Sequence, residues 1–186
     1  MKILIIGATG AIGKIITPAL EQKHEIITAG RNSGEIKVDI SSADSIEAMF
    51  NQVKNIDACV CVAGDSYTGD LSSLTEENLN LGIKNKLIGQ VNLVLIGQNY
   101  LNNSGSFTLI SGKMGDKPAK NTAAKAIVNG GINSFGMAAS LEMPRGLRIN
   151  VVSPSKVTDI PVDDLIDGYL KSIEGMANGE IIRINY

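Results

Sequence analysis

The sequence predicts an α/β fold, a single domain built on one doubly wound parallel sheet, and three observations carry that prediction. Short β-branched runs alternate with helical stretches from end to end, the links between them are short, and the first run flows straight into a glycine-rich turn. At 186 residues the chain suffices for one domain with a substantial core and is too short for two ordinary ones.

Lys2–Ile6 is a run without a polar break, as a strand covered on both faces requires. Ala11–Lys23 follows as a helix, although Pro18 lies deep in it, where a proline removes one backbone hydrogen bond and costs about 3 kcal/mol. Glu25–Ala29 and the short Glu35–Val38 are the second and third strands, with a helix over Ala43–Val53 after them. Asp57–Val62 is the fourth strand. A long helix is expected from Thr75 to Leu101, then a glycine-containing turn and the strand Ser106–Ile110. Ala119–Glu142 is a second long helix, rich in Ala, Gly and Ser, and Leu147–Val152 a further strand. Val162–Ala177 is mostly helical, and Glu180–Asn185 is the last strand, after the turn at Asn178-Gly179. No repeat, low-complexity tract or linker interrupts the order, so residues 1–186 form one domain.

Composition excludes several functions. With 44% hydrophobic and 19% charged residues the chain is a folded globular protein. The net charge of −2 is spread along the chain without a basic run, which argues against nucleic acid or a membrane surface as partner. Trp is absent and aromatics make up 4%, too few to build stacking platforms for bases or sugars. The apolar run Ile3–Ile6 is too short for a signal-peptide core or a membrane span, so a cytoplasmic location is expected. Cys59 and Cys61 point to the same face of a strand; with no further Cys and no nearby His they are expected to be buried small residues. His24 closes a polar helix end and is expected to face water.

The turn after the first strand is Gly7-Ala8-Thr9-Gly10-Ala11-Ile12-Gly13, a G-x-x-G-x-x-G pattern that opens a helix. Glycine lets the backbone bend sharply and approach a pyrophosphate, and the N–H groups at the helix start attract the anion. At the head of a βαβ unit such a turn points to a dinucleotide site in a Rossmann-like fold. The second strand ends in Ala29-Gly30-Arg31-Asn32, and no Asp or Glu stands between Thr28 and Gly34. An acid there would bind the ribose hydroxyls of NAD, whereas an Arg pairs with a 2′-phosphate, so NADP(H) is favoured over the plain reading of a solvated Arg in a turn. Asp39 is placed to accept from the adenine amino group, and Val62-Ala63-Gly64 lets the backbone run close to the cofactor.

These residues resemble the short-chain dehydrogenase/reductase family across essentially the whole chain. A second match is Arg145-Gly146-Leu147-Arg148-Ile149-Asn150-Val151-Val152-Ser153-Pro154, similar to the family's strand on the nicotinamide side; Phe135 and Glu142 also fall at family positions. The resemblance implies a Tyr as general acid/base, a Lys four residues on that lowers its pKa, a Ser that binds the substrate oxygen, and an Asn that holds a relay water. Counted back from Glu142 and Phe135 without gaps, the Tyr and Lys positions here are Lys125 and Asn129. The Ser position is Gly112, next to Ser111, and the Asn position is Lys86. A second registration, shifted by four residues, keeps Lys125 as the family Lys and puts Asn121 at the Tyr position. Neither supplies a Tyr, since Tyr67, Tyr100, Tyr169 and Tyr186 lie elsewhere. The segment Ser155–Pro161 is also shorter than the family's helical lid.

Two readings follow. The chain is an NADP(H)-dependent oxidoreductase of a small carbonyl or hydroxyl substrate with non-standard catalytic residues, Lys125, Ser111 and Lys86. Alternatively it is a non-catalytic NADP(H)-binding sensor or regulator. If Lys125 and Lys86 share a pocket, partial burial and mutual repulsion lower the proton affinity of one below its ordinary value of about 10.4, which yields a general acid or a site for an anionic substrate; a solvated or structural Lys125 is the plainer alternative. Leu87, Val91, Val94 and Leu95 on one long helix, and Ala123, Ala126, Gly130 and Ala138 on the other, predict a homodimer or homotetramer through these helices.

Overall fold

The Lys2–Ile6 run forms the interior strand β1, and the alternation of its side chains feeds two separate cores. Leu4 and Ile6 face one side of the sheet, Ile3 and Ile5 the other, each at most 1% exposed. The computed structural model describes Met1–Tyr186. β2 (Glu25–Gly30), β3 (Ile36–Lys37), β4 (Ile56–Cys61), β5 (Leu101–Ile110), β6 (Arg148–Pro154) and β7 (Ile181–Ile184) complete a seven-stranded sheet in the order β3-β2-β1-β4-β5-β6-β7. Every pairing is parallel. The expected doubly wound Rossmann-like sheet is therefore present. Its direction of winding reverses between β1 and β4, and a crevice opens beyond their C-terminal ends.

Helices α1 (Gly13–Glu21) and α6 (Val162–Ile173) cover the Ile3 and Ile5 face through Ile16, Leu20, Leu165 and Tyr169. Helices α2 (Ala43–Gln52), α4 (Gly89–Gly97) and α5 (Ala123–Ala139) cover the other through Ile46, Phe50, Leu93 and Val128. Cys59 and Cys61 lie together in this second core as free, buried thiols, as their spacing predicts. Pro18 sits on the exposed face of α1, where its ring displaces no core contact. No helix is long and apolar enough to cross a membrane.

Several elements differ from expectation. The helix expected over Thr75–Leu101 is three pieces: α3 (Glu76–Gly82), a π-helical segment over Ile83–Ile88, and α4. β5 starts at Leu101 rather than Ser106, because the expected turn is a bulge inside the strand; the register shifts between the Ile56–Leu101 and Ala58–Ser106 pairs, and Ser104 adopts φ 60°. α5 begins at Ala123 rather than Ala119 because the Thr122 hydroxyl bonds back to Ala119 and closes a separate turn. α6 ends at Ile173 where Arg148 donates to the carbonyls of Ser172, Ile173 and Ala177 at 2.9–3.0 Å, a clamp on the negative end of the helix. Arg145 does the same beyond α4, bonding the carbonyls of Gln98 and Leu101. His24 does not face water: its side chain is 9% exposed, and Nε2 meets Glu174 at 2.7 Å, tying the end of α1 to the end of α6.

Candidate functional site

The Gly-rich turn is built by contact as well as by flexibility. A Cβ on Gly13 would lie 2.3 Å from the carbonyl oxygen of Gly7, so any side chain there would prise the turn apart. α1 starts with no side-chain cap and no acid in its first turn; the N–H groups of Lys14 and Ile15 bond the carbonyls of Gly10 and Ile12 at 3.0 and 2.9 Å, which leaves those of Ile12 and Gly13 for an external anion. Gly10, Ala11 and Gly13 form this turn from behind and do not line the cavity in front of it.

That cavity, of about 470 Å³, lies over the C-terminal ends of β1, β2 and β4. Of the expected cofactor residues it collects Gly7, Thr9, Gly30, Arg31, Asn32, Ala63 and Gly64. Thr9 and Ser33 share a hydroxyl hydrogen bond of 2.7 Å across it. Asp39 stands outside the lining and is engaged: its Oδ1 accepts from Arg31 at 2.9 Å and from the hydroxyl and N–H of Ser41 at 2.7 and 3.0 Å. The Ser41 bonds, with Arg31, hold this carboxyl below its ordinary range.

A second cavity, of about 450 Å³, adjoins the first through Gly64 and Asp65, which line both. Ile12, Ser111, Lys86 and Lys125 meet here, with Gly112 and Asn129. The π-helical segment turns Lys86 inward until it is 7% exposed. Its Nζ donates to the carbonyl of Ser111 at 3.0 Å and to Oδ1 of Asn129 at 2.9 Å. An ammonium has three N–H groups, so one remains free. A Cβ on Gly64 would lie 2.8 Å from the Lys86 side chain, so the glycine makes room for this lysine. Burial pushes the Lys86 amine down to about 8; Asp65 opposes that, and Lys125 adds to it. Of the two expected causes, burial is the larger and repulsion by Lys125 the smaller. The Ser111 hydroxyl is buried without a partner. In the gap-free registration Lys86 and Asn129 stand where the family pattern has Asn and Lys, so the two residue types have changed places, and here they are in direct contact.

None of the four tyrosines lines this cavity. Tyr169 lies in the α6 core, Tyr100 bonds Asn51, and Tyr186 bonds Ser153 and Asp116. Sequence reasoning missed Asp65, shared by both cavities, and Gln90, whose side-chain amide bonds the N–H and carbonyl of Ile110 at 2.8 and 2.9 Å and so fixes the strand end that carries Ser111. A polar residue in an apolar helix was the available signal. It also missed Ser155, in the second cavity.

The family model described as enoyl-(acyl carrier protein) reductase matches residues 7–178. Among solved structures, the protein lin1944 from Listeria innocua is 41% identical, each chain covers 100% of the other, and the TM-score is 0.95. A small-chain dehydrogenase is 26% identical over 99% of this chain and 96% of its own, with TM-score 0.88. Another, determined in complex with NADPH, is 23% identical over 100% and 96%, with TM-score 0.89, a likeness of fold. No curated protein matches the chain. The fold, the glycine-rich crevice and these matches define a short-chain dehydrogenase/reductase. The chain belongs to that family.

Proposed function

We propose that the protein is an NADP(H)-dependent oxidoreductase of a small carbonyl or hydroxyl substrate, with Lys86 and Ser111 in place of a tyrosine-centred acid. The observation that carries this reading is the Lys86 ammonium, buried beside an unpartnered Ser111 hydroxyl at the end of a dinucleotide-shaped trough. The residues fit the cofactor. The uncapped start of α1 suits its pyrophosphate, Arg31 its 2′-phosphate, Asp39 its adenine amino group through the free Oδ2, and the second cavity its nicotinamide end.

Bound NADPH supplies the hydride. Ser111 orients the carbonyl oxygen, and Lys86 delivers the proton from its third N–H. An acid near pKa 8 is still largely protonated at neutral pH and gives up its proton far more readily than an ordinary lysine. Asn129 and the Ser111 carbonyl hold the amine in position. Lys125, half-buried at the mouth, is left to act on the substrate by its charge. The short Ser155–Pro161 segment covers less of the substrate than a helical lid would.

The lack of a tyrosine in the cavity favours a second reading, a non-catalytic NADP(H)-binding protein. We place either version in the cytoplasm as a homodimer or homotetramer. Its interface would be the face of α4 and α5 where Leu95 and Met137 are 52% and 47% exposed, with Leu141, 86% exposed, in the turn after α5. Val94, expected on that face, is 2% exposed and belongs to the protomer core.

Cofactor choice tests the proposal. The Arg31–Asp39 pair is exposed, at 57% and 41%, so releasing Arg31 to a phosphate costs at most about 1 kcal/mol. Charge-assisted bonds to the phosphate contribute about 1.5–3 kcal/mol. NADPH is expected to bind roughly tenfold or more tighter than NADH, and Arg31→Asp to reverse the order. Equal affinities in the unmodified protein would overturn the assignment.

A further inference from the structure

The second cavity carries more positive charge than proton transfer requires. Lys86, Lys113, Lys125 and Lys156 all line it, against one carboxylate, Asp65. The concentration is local, since the whole chain has a net charge of −2. The rim segment 113–125 holds Lys113, Lys117, Lys120 and Lys125, and its one acid is committed elsewhere. Asp116 Oδ2 accepts from Arg183 at 2.6 Å and from the Tyr186 hydroxyl at 3.1 Å. No carboxylate lies within ion-pair distance of Lys113 or Lys125. Lys156 meets only Asp159, at 4.0 Å with both side chains well exposed, a pair that water screens to very little.

Two hydroxyls give an independent sign. The Oγ atoms of Ser111 and Ser155 are buried in this cavity without a partner, and Ser111 is 4% exposed. Buried hydroxyls are ordinarily satisfied, so a pair left unmet beside ammonium groups calls for oxygen acceptors from outside. A carboxylate or phosphate presents several such oxygens together with the matching charge. A neutral carbonyl compound would satisfy one hydroxyl and leave the lysines without a counter-charge, although Lys113 also rests over the Tyr186 ring at 5.7 Å from its centroid. The 450 Å³ must also take the nicotinamide end of the cofactor, which restricts the substrate to a few carbons.

We propose, resting on the oxidoreductase reading above, that the substrate is a small carbonyl compound bearing an oxyanion, held by Lys113, Lys125, Lys156 and the Ser155 hydroxyl. Lys86 and Ser111 are then left to the carbonyl oxygen. The oxyanion is a carboxylate or a phosphate. Arg31 borders the other cavity, so the cofactor's 2′-phosphate does not account for the cluster; the start of α1 meets this cavity at Ile12, and the NADPH arm of the test separates the pyrophosphate from the substrate.

The test is calorimetric and needs no turnover. Oxamate, an unreactive analogue of a short 2-oxo acid, its neutral ethyl ester, and methylphosphonate are titrated into the protein with and without NADPH. One of the two anions is expected to bind about tenfold or more tighter than the ester, and which one does so names the oxyanion. Lys113→Gln with Lys156→Gln, the first half-buried and the second exposed, should weaken that anion about tenfold while NADPH affinity stays within about twofold. Equal affinity for oxamate, methylphosphonate and ester would overturn the proposal. So would parallel loss of anion and NADPH binding in the variant, which would give the lysines to the cofactor. Anion binding by a protein that reduces no carbonyl would support the site and overturn the reductase reading alone.

Discussion

In the proposed reaction most of the chemistry turns on Lys86, and its burial has a consequence for stability. Its amine titrates at about 8 in the folded protein and near its ordinary value of 10.5 when unfolded. Between those values the unfolded chain binds the extra proton, so stability rises with pH across that window. At neutral pH the buried charge opposes folding by roughly 3 kcal/mol, at 1.36 kcal/mol per pKa unit. Lys86→Met removes this titration along with two hydrogen bonds. The stability of the unmodified protein relative to that variant is therefore expected to increase by a few kcal/mol between pH 7 and about pH 10.5, read from urea unfolding at each pH. A difference that stays flat with pH would mean that Lys86 is solvated when folded. The sequence showed Lys86 and Asn129 as replacements but not as partners, because contact between two helices far apart in the chain leaves no local pattern. That Gly7, Gly30, Arg31 and Gly64 line one cavity was legible because each sits at the end of a strand that the local sequence specifies.

At the level of elements, most strands and the first turn announced themselves, while the bulge in β5 and the break in the first long helix did not. β1 and the Gly-rich turn are specified by an unbroken apolar run and by close backbone approach, both local properties. The break between α3 and α4 is not local. The segment from Thr75 on has good helical periodicity, and the π-helical turn over Ile83–Ile88 arises because Lys86 is drawn under Gly64 toward Asn129 and the Ser111 carbonyl. Likewise the Arg145–Asn150 motif was recognisable as a string. Its work is structural: both arginines cap helix ends, and Asn150 bonds the Ala177 carbonyl and the Glu180 N–H at 2.8 and 3.0 Å. A motif that reads as part of a cofactor site is thus a clamp that holds β6, and with it the wall of the second cavity, against α6.

Across the whole molecule, two cavities joined at Gly64 and Asp65 sit at the switch point of a sheet whose helices leave one apolar face open. A groove on that face is lined by Leu95, Phe135, Ala138 and Met143. Burying it stabilises an assembly by about 25 cal/mol per Å² of apolar surface. Light scattering at micromolar concentration is expected to give a dimer or tetramer, and Leu95→Glu with Ala138→Glu to give a monomer that still binds NADPH. A monomeric unmodified protein would remove the interface. The central claim, hydride transfer from NADPH with Lys86 as proton donor, is tested most directly by single-turnover absorbance. Enzyme-bound NADPH is mixed with a panel of small carbonyl compounds, and the unmodified protein is compared with Lys86→Met at equal NADPH occupancy. Oxidation is expected in the unmodified protein and a fall of about a hundredfold or more in the variant, the usual contribution of a positioned general acid. Equal rates in the two proteins, or bound NADPH that no carbonyl oxidises, would contradict it.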